Sequence, residues 1–191
     1  AESAVTDLAT QAGLAQTHSQ PPVVIFFGRI EAYKGVDTLL AAWEQLARHQ
    51  NATRSSATVQ ARLIIAGQLA PAMTLPALPP GVELRNRRID DAEGLALFRQ
   101  ASVLVLPYRD STQSALPAAA YRFGVPVIAA RSGALGEYVV PGKTGWVVPP
   151  GDAPALAAAL AEALAAPQRL HEMGIAGQLW YHQARAREEV A

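Results

Sequence analysis

Val23-Val24-Ile25-Phe26-Phe27 is apolar at every position and stops at Gly28. A short run without alternation suits a strand covered on both faces. The pattern returns in Leu63-Ile64-Ile65-Ala66, stopped by Gly67, and in Val103-Leu104-Val105-Leu106, stopped by Pro107. Val125 to Ala130 predicts a further strand, Val82 to Leu84 a short one and Trp146 to Val148 a last one. Between the runs the period changes to that of a helix. Val36, Leu39, Leu40, Trp43 and Leu46 share one face and predict a helix over 36–48. Residues 90–100 predict another, with Leu95, Leu97 and Phe98 inward and Asp90 or Asp91 as its cap. A helix over 114–123 follows, and two alanine-rich helices, about 152–165 and 168–187, close the chain. Residues 70–81 are a proline-rich loop, and Gly133, Gly136, Gly142 and Gly145 punctuate a turn region.

Alternating strands and helices, with strands that are apolar throughout, predict an α/β fold: a Rossmann-like, doubly wound parallel sheet with helices on both faces. In such sheets ligands bind beyond the carboxyl ends of the strands, so the loops after 28, 67 and 107 should line the site. Residues 1–22 read as a linker or N-terminal extension closed by Pro21-Pro22, and 23–191 as the domain.

The 191 residues suit one domain, and a hydrophobic content of 50% excludes wholesale disorder. A net charge of zero argues against a nucleic-acid binder, which needs a basic face. With no cysteine there is no disulfide framework, thiolate metal site or cysteine nucleophile. No apolar run approaches the length needed to span a bilayer, and the first residues lack the basic start of a signal peptide. The expectation is a cytoplasmic domain, or a fragment of a longer chain.

Three loops could carry chemistry. Gly28-Arg29-Ile30-Glu31-Ala32-Tyr33-Lys34-Gly35 lies between a strand and a helix start, where amides and the helix dipole favour phosphate. Of the 16 basic residues only Lys34 and Lys143 are lysine. The bland alternative is a solvated pair in which Glu31 neutralises Arg29. Pro107 to Pro117 also joins a strand to a helix. There Ser111, Thr112 or Ser114 is either a plain N-cap or part of a polar cradle for a phosphate or polyhydroxy ligand. Arg85, Arg87 and Arg88 form a rim from which one arginine reaches the crevice. The four histidines, His18, His49, His171 and His182, are isolated and suit neither a metal nor general-base work. Trp180-Tyr181 on the last helix reads as core or a docking face.

Together these stretches resemble the C-terminal, donor-binding domain of GT-B fold retaining glycosyltransferases, a large family of bacterial mannosyl-, glucosyl- and N-acetylglucosaminyltransferases. The matching segments are F-F-G-R-I-E-A-Y-K-G-V-D-T-L-L, L-I-I-A-G, V-L-V-L-P-Y and F-G-V-P-V-I-A-A-R-S-G-A-L-G-E-Y-V-V-P-G-K-T-G-W-V-V-P-P-G-D, spread over 23 to about 165. The resemblance implies that Arg29 and Lys34 contact the diphosphate of a nucleoside-diphosphate sugar and act in catalysis. It places Gly28 and Gly67 in the binding site and Arg87 and Arg88 near the base. Ser111, Thr112, Gln113, Ser114, Ala115 and Leu116 would hold the sugar and phosphates largely through backbone amides. No metal and no cofactor is implied. The acceptor would bind to an N-terminal domain absent from this chain, and any membrane contact would be peripheral, through that missing domain.

The sequence departs from the family at the two usual glutamates and at Thr112-Gln113-Ser114, which replaces the usual small, glycine-rich sequence. Counting back from Gly124-Val125-Pro126-Val127, the two glutamates usual in the family would fall at 111 and 119, where this chain has Ser111 and Ala119. The reading is therefore a donor-binding, metal-independent glycosyl-transfer domain of a pathway such as polysaccharide biosynthesis, incomplete and inactive alone. Its rivals are a non-catalytic binding or partner domain and a nucleotide-sugar epimerase half-domain.

Overall fold

A computed structural model describes residues 21–53, 61–111 and 113–188. Residues 1–20 of the N-terminal extension, His18 among them, and Thr112 lie outside the described residues. Six strands form one sheet: β1 (Val23–Phe27), β2 (Arg62–Ala66), β3 (Val82–Arg85), β4 (Val103–Leu106), β5 (Val127–Ala130) and β6 (Gly145–Val148). Their order is β3-β2-β1-β4-β5-β6 and every pair is parallel. Among the described residues six α-helices accompany them: α1 (Val36–Thr53), α2 (Asp91–Gln100), α3 (Leu116–Arg122), α4 (Leu135–Tyr138), α5 (Ala153–Ala165) and α6 (Pro167–Glu188).

The expected doubly wound fold is thus present. β4 and β5 are buried at all positions, and β1 and β2 at all but one end. Successive residues of a strand face opposite sides, so continuous burial means that helices cover both faces. The edge strand β3 is only half-buried and mixes Glu83 and Arg85 with Val82 and Leu84. Trp43 on α1 donates its indole N–H to the Pro80 carbonyl at 3.1 Å, which ties the end of the proline-rich loop to the helix layer.

Several boundaries differ from the periodicity. Helix α1 runs on to Thr53, past its apolar stripe. In α2 the inward positions are Gly94, Leu97 and Phe98, an i, i+3, i+4 set, and Leu95 is 40% exposed. Asp90 caps that helix by accepting from the Glu93 N–H at 2.8 Å. Helix α3 starts at Leu116, two residues later than expected, and its N-cap, Ala115, offers no side-chain bond. Strand β5 starts at Val127; Pro126 has no N–H for the ladder and contributes only its carbonyl, to the Leu104 N–H. The glycine-punctuated turn contains the short helix α4, and a one-turn 3-10 helix spans Ala32–Lys34.

Tyr121 on α3 joins three of these pieces. It is fully buried, its hydroxyl lies 3.0 Å from the Tyr138 carbonyl and 2.8 Å from Thr144 Oγ1, and Thr144 Oγ1 accepts from the Val140 N–H. A phenol has one proton to give, so it donates to the carbonyl and accepts from Thr144. Trp180 packs edge-on against both Tyr121 and Tyr138, at 5.6 and 5.9 Å between ring centres, which docks α6. Burial pushes the Tyr121 pKa up to about 12, against the Thr144 hydrogen bond, which lowers it. The folded chain therefore keeps a proton that the unfolded chain loses above its ordinary value of 10.0. Stability is complete below that value and falls as pH rises towards 12, by up to about 1.4 kcal/mol per pH unit for each such phenol. Thermal melts across this range should show the fall, and Tyr121→Phe should make it shallower by one phenol's share. An equally steep decline in the variant would show that Tyr121 does not carry it.

Candidate functional site

The order β3-β2-β1-β4-β5-β6 reverses direction between β1 and β4, the place where doubly wound sheets bind ligands. Two segments meet there: 28–35 after β1 and 107–115 after β4. Gly35 has φ +65°, and a Cβ on it would lie 2.0 Å from the Pro107 carbonyl oxygen. Only glycine permits that approach. Arg109 closes the junction. Its N–H donates to the Tyr33 carbonyl at 2.7 Å, and its guanidinium pairs with Asp37 at 2.5 Å and reaches the Thr38 hydroxyl.

A cavity of about 510 Å³ opens beside this junction, at the ends of β1 and β2. Phe27, Gly28, Arg29, Gly67, Gln68, Leu69, Arg88 and Ile89 are among the residues that line it. Gly67 has φ +154°, and a Cβ there would stand 1.9 Å from the Gly28 carbonyl oxygen, so the two strand ends converge backbone to backbone. The Ile30 N–H donates to Gln68 and the Ala70 N–H returns to Ile30, both at 2.9 Å.

The expected site residues divide into three groups. Gly28, Arg29, Gly67 and Arg88 line the cavity together. Arg29 is largely exposed and pairs with Glu31 at 3.1 Å, as in the solvated-pair alternative. Lys34 stands next to them, since a Cβ on Gly28 would lie 3.3 Å from its Nζ. Burial holds the Lys34 pKa below the ordinary lysine value, with Glu31 pulling it back up. Arg87 turns away. Its guanidinium pairs with Glu93 at 2.6 and 2.9 Å, where Arg85 joins it at 2.9 Å.

The third group is the segment after β4. Ser111 is buried, Gln113 and Ala115 are exposed, and Ser114 and Leu116 are half-buried. Ser114 Oγ accepts from the Leu116 N–H at 3.3 Å, inside its own turn. Ala119, half-buried, packs against the core. None of 111, 113–116 and 119 lines the cavity. Among the described residues no group of three or more His, Asp or Glu is placed to hold a metal, and no helix is long and apolar enough to cross a membrane.

Residues 21–166 match the profile of the family described as Glycosyl transferases group 1. The chain belongs to this family. Among curated group 1 relatives it is 33% identical over 173 residues to a GDP-mannose-dependent alpha-(1-6)-phosphatidylinositol monomannoside mannosyltransferase of Mycolicibacterium smegmatis, covering 83% of this chain and 43% of that protein. Among solved structures it superposes on sucrose-phosphate synthase of Thermosynechococcus elongatus with a TM-score of 0.70 and 28% identity, over 93% of this chain and 44% of the other. HepE of Anabaena, solved in complex with UDP and glucose, shares the fold at a TM-score of 0.70 and 20% identity, over 96% of this chain and 48% of the other. The chain thus spans less than half the length of these relatives.

Two groups at this candidate site carried no signal in the sequence. Tyr108 is 3% exposed and its ring lies beneath the Lys34 ammonium, which faces its centre at 5.3 Å. Burial pushes its pKa up to about 12, with the neighbouring Ser114 hydroxyl acting the other way. Glu93 is the other: together with Asn86, which accepts from the Leu69 N–H at 2.9 Å, it pins the loop that carries Arg88. The Arg87 hydrogen bond, then that of Arg85, holds the Glu93 carboxyl below its ordinary 4.5 despite the opposing cost of desolvation. A depressed carboxylate stabilises the fold above its unfolded value and loses that contribution as pH falls through the folded one. Melting temperature should therefore drop more steeply below pH 4.5 in the wild type than in Glu93→Gln. Parallel acid limbs would show that the clamp contributes nothing.

Proposed function

We propose that this domain binds the nucleoside-diphosphate sugar of a retaining, metal-independent glycosyl transfer, with residues 23–191 as the donor half. The observation that carries the reading is the position of Lys34. Its half-buried ammonium adjoins a cavity at the ends of β1 and β2, beside the sheet's switch point, with Arg29 and Arg88 on the cavity wall. The cavity's apolar lining, including Phe27, Leu69 and Ile89, suits a base. Its cations suit the diphosphate. The named GDP-mannose dependence of the Mycolicibacterium relative and the UDP bound to HepE support the same ligand class.

Chemically, breaking the bond from anomeric carbon to phosphate leaves negative charge on the departing diphosphate. Fixed cations that meet this charge as it develops lower the barrier. Lys34 is the principal group, because its charge is partly desolvated. Arg29 adds a second, more exposed charge. The acceptor, and any group that activates it, belongs to a partner domain, so the isolated chain should bind donor without sustained transfer. A non-catalytic binding domain is the second reading, favoured by Ser111 and Ala119 at the positions where the family resemblance implies carboxylates.

Calorimetry with UDP and GDP tests the proposal. A hydrogen bond to a charged group is worth about 1.5–3 kcal/mol. Lys34→Ala should therefore weaken nucleoside diphosphates by up to about a hundredfold, and the exposed, already paired Arg29→Ala by about tenfold at most. UMP and GMP should lose less. Wild-type affinity in both variants would return the two cations to a solvated rim. Binding of the free nucleotide without binding of any nucleotide sugar would favour the non-catalytic reading.

A further inference from the structure

We propose that Tyr108 and Tyr33 form an aromatic seat that positions the Lys34 ammonium for a diphosphate, leaving its three protons free for phosphate oxygens. This inference rests on the donor-binding reading above and adds two positioning residues to it.

Three of the neighbouring cations are committed to carboxylates, Arg29 to Glu31, Arg87 to Glu93 and Arg109 to Asp37, while Arg88 stands on the cavity wall at the β3 side. The Lys34 ammonium has no carboxylate within ion-pair distance and no hydrogen-bond acceptor among the described residues. It faces the ring centre of Tyr108 at 5.3 Å and that of Tyr33 at 5.9 Å, within the range of a cation–π attraction. The two rings stand nearly perpendicular, 6.3 Å apart. A carboxylate in this place would neutralise the ammonium and compete with a phosphate. Ring faces hold the charge without neutralising it.

The seat is rigid because the two tyrosines come from loops locked together. Tyr33 precedes Lys34, and its carbonyl accepts from the Arg109 N–H at 2.7 Å. Tyr108 follows Pro107, whose carbonyl oxygen is in backbone contact with Gly35. Arg109 adds the Asp37 pair across the same seam. The Tyr108 hydroxyl is buried and, among the described residues, makes no hydrogen bond of good geometry, with the Ser114 hydroxyl its polar neighbour. The ring, then, is the working part of Tyr108. The lowered pKa of Lys34 agrees with a cation drawn out of water onto these rings.

Two arms test the seat in the full 191-residue chain. The chain has only two lysines, Lys34 and Lys143, so their side-chain methylene signals are readily told apart by NMR. Ring currents should shift the Lys34 signals upfield of those of the exposed Lys143. Tyr108→Leu should abolish most of that shift, and Tyr108→Phe should restore it. In the second arm, Tyr108→Leu should weaken UDP and GDP by about five- to thirtyfold, the equivalent of about 1–2 kcal/mol. UMP and GMP should change by less than about twofold, and Tyr108→Phe should recover diphosphate affinity. Should Tyr108→Leu fail to fold, Tyr33→Leu replaces it, since Tyr33 is 44% exposed and outside the core. An unshifted Lys34 in the wild type overturns the proposal. So does Tyr108→Leu with wild-type diphosphate affinity, or a Tyr108→Phe that fails as badly as Tyr108→Leu. A wild-type chain that binds neither UDP nor GDP removes the donor reading instead, and the NMR arm then decides the seat alone.

Discussion

Between Gly35 and the Pro107 carbonyl there is no space for a methyl group; a Cβ would sit 2.0 Å from the oxygen. That contact joins the loop leaving β1 to the loop leaving β4, at the point where the sheet's winding reverses. With the loops in contact, Arg109 can reach back to Tyr33, Asp37 and Thr38. Tyr108 then lies under the ammonium of a residue 74 positions earlier in the chain. Packed backbone does not deform by degrees, so a side chain at 35 would move the whole arrangement.

The contact holds because the strands beneath it cannot shift. β1 and β4 are neighbours in register, Val24 against Val103 and Ile25 against Leu104, and all four residues are fully or almost fully buried. β1 meets β2 on its other side along its full length. The site therefore hangs from the most buried part of the sheet, and the half-exposed β3 is kept for the edge. Charge follows the same gradient. The Arg85–Glu93–Arg87 cluster lies at the end of β3, where water screens it, and Lys34 lies over the centre.

β1, β2 and β4 were legible because their runs were apolar and ended in Gly28, Gly67 and Pro107, residues that stop a ladder for steric reasons. Parallel order and the location of the crevice follow from that pattern. Leu95 shows where such reading fails: its residue type suits the core, but the inward stripe of α2 runs through Gly94, Leu97 and Phe98, where the Phe27 ring fills the space a larger residue at 94 would need. Arg29 and Lys34 could be singled out because they follow a buried strand directly. Arg87 and Arg88 are adjacent and chemically identical, and what separates them is Glu93 on the next helix. Tyr108 depends on a partner from a distant strand, so no local pattern could mark it.

The chain's basic residues clarify why lysine stands at 34. Fourteen of its sixteen are arginine. A guanidinium presents a planar fork that matches a carboxylate, and in this fold it repeatedly finds one: Glu31, Glu44, Glu93, Asp37 and Glu162 each hold an arginine. These pairs fasten loops and helix surfaces. Once paired, an arginine offers an incoming anion only part of its field. An ammonium is compact enough to lie near two tyrosine rings and beside Gly28, where Glu31 acts on it from a distance but no carboxylate pairs with it. Arginine at 34 would spread its charge over a plane that two nearly perpendicular rings cannot both face. The division of labour therefore follows from side-chain geometry: arginine fastens the loops that shape the cavity, and lysine keeps an uncommitted charge at its edge.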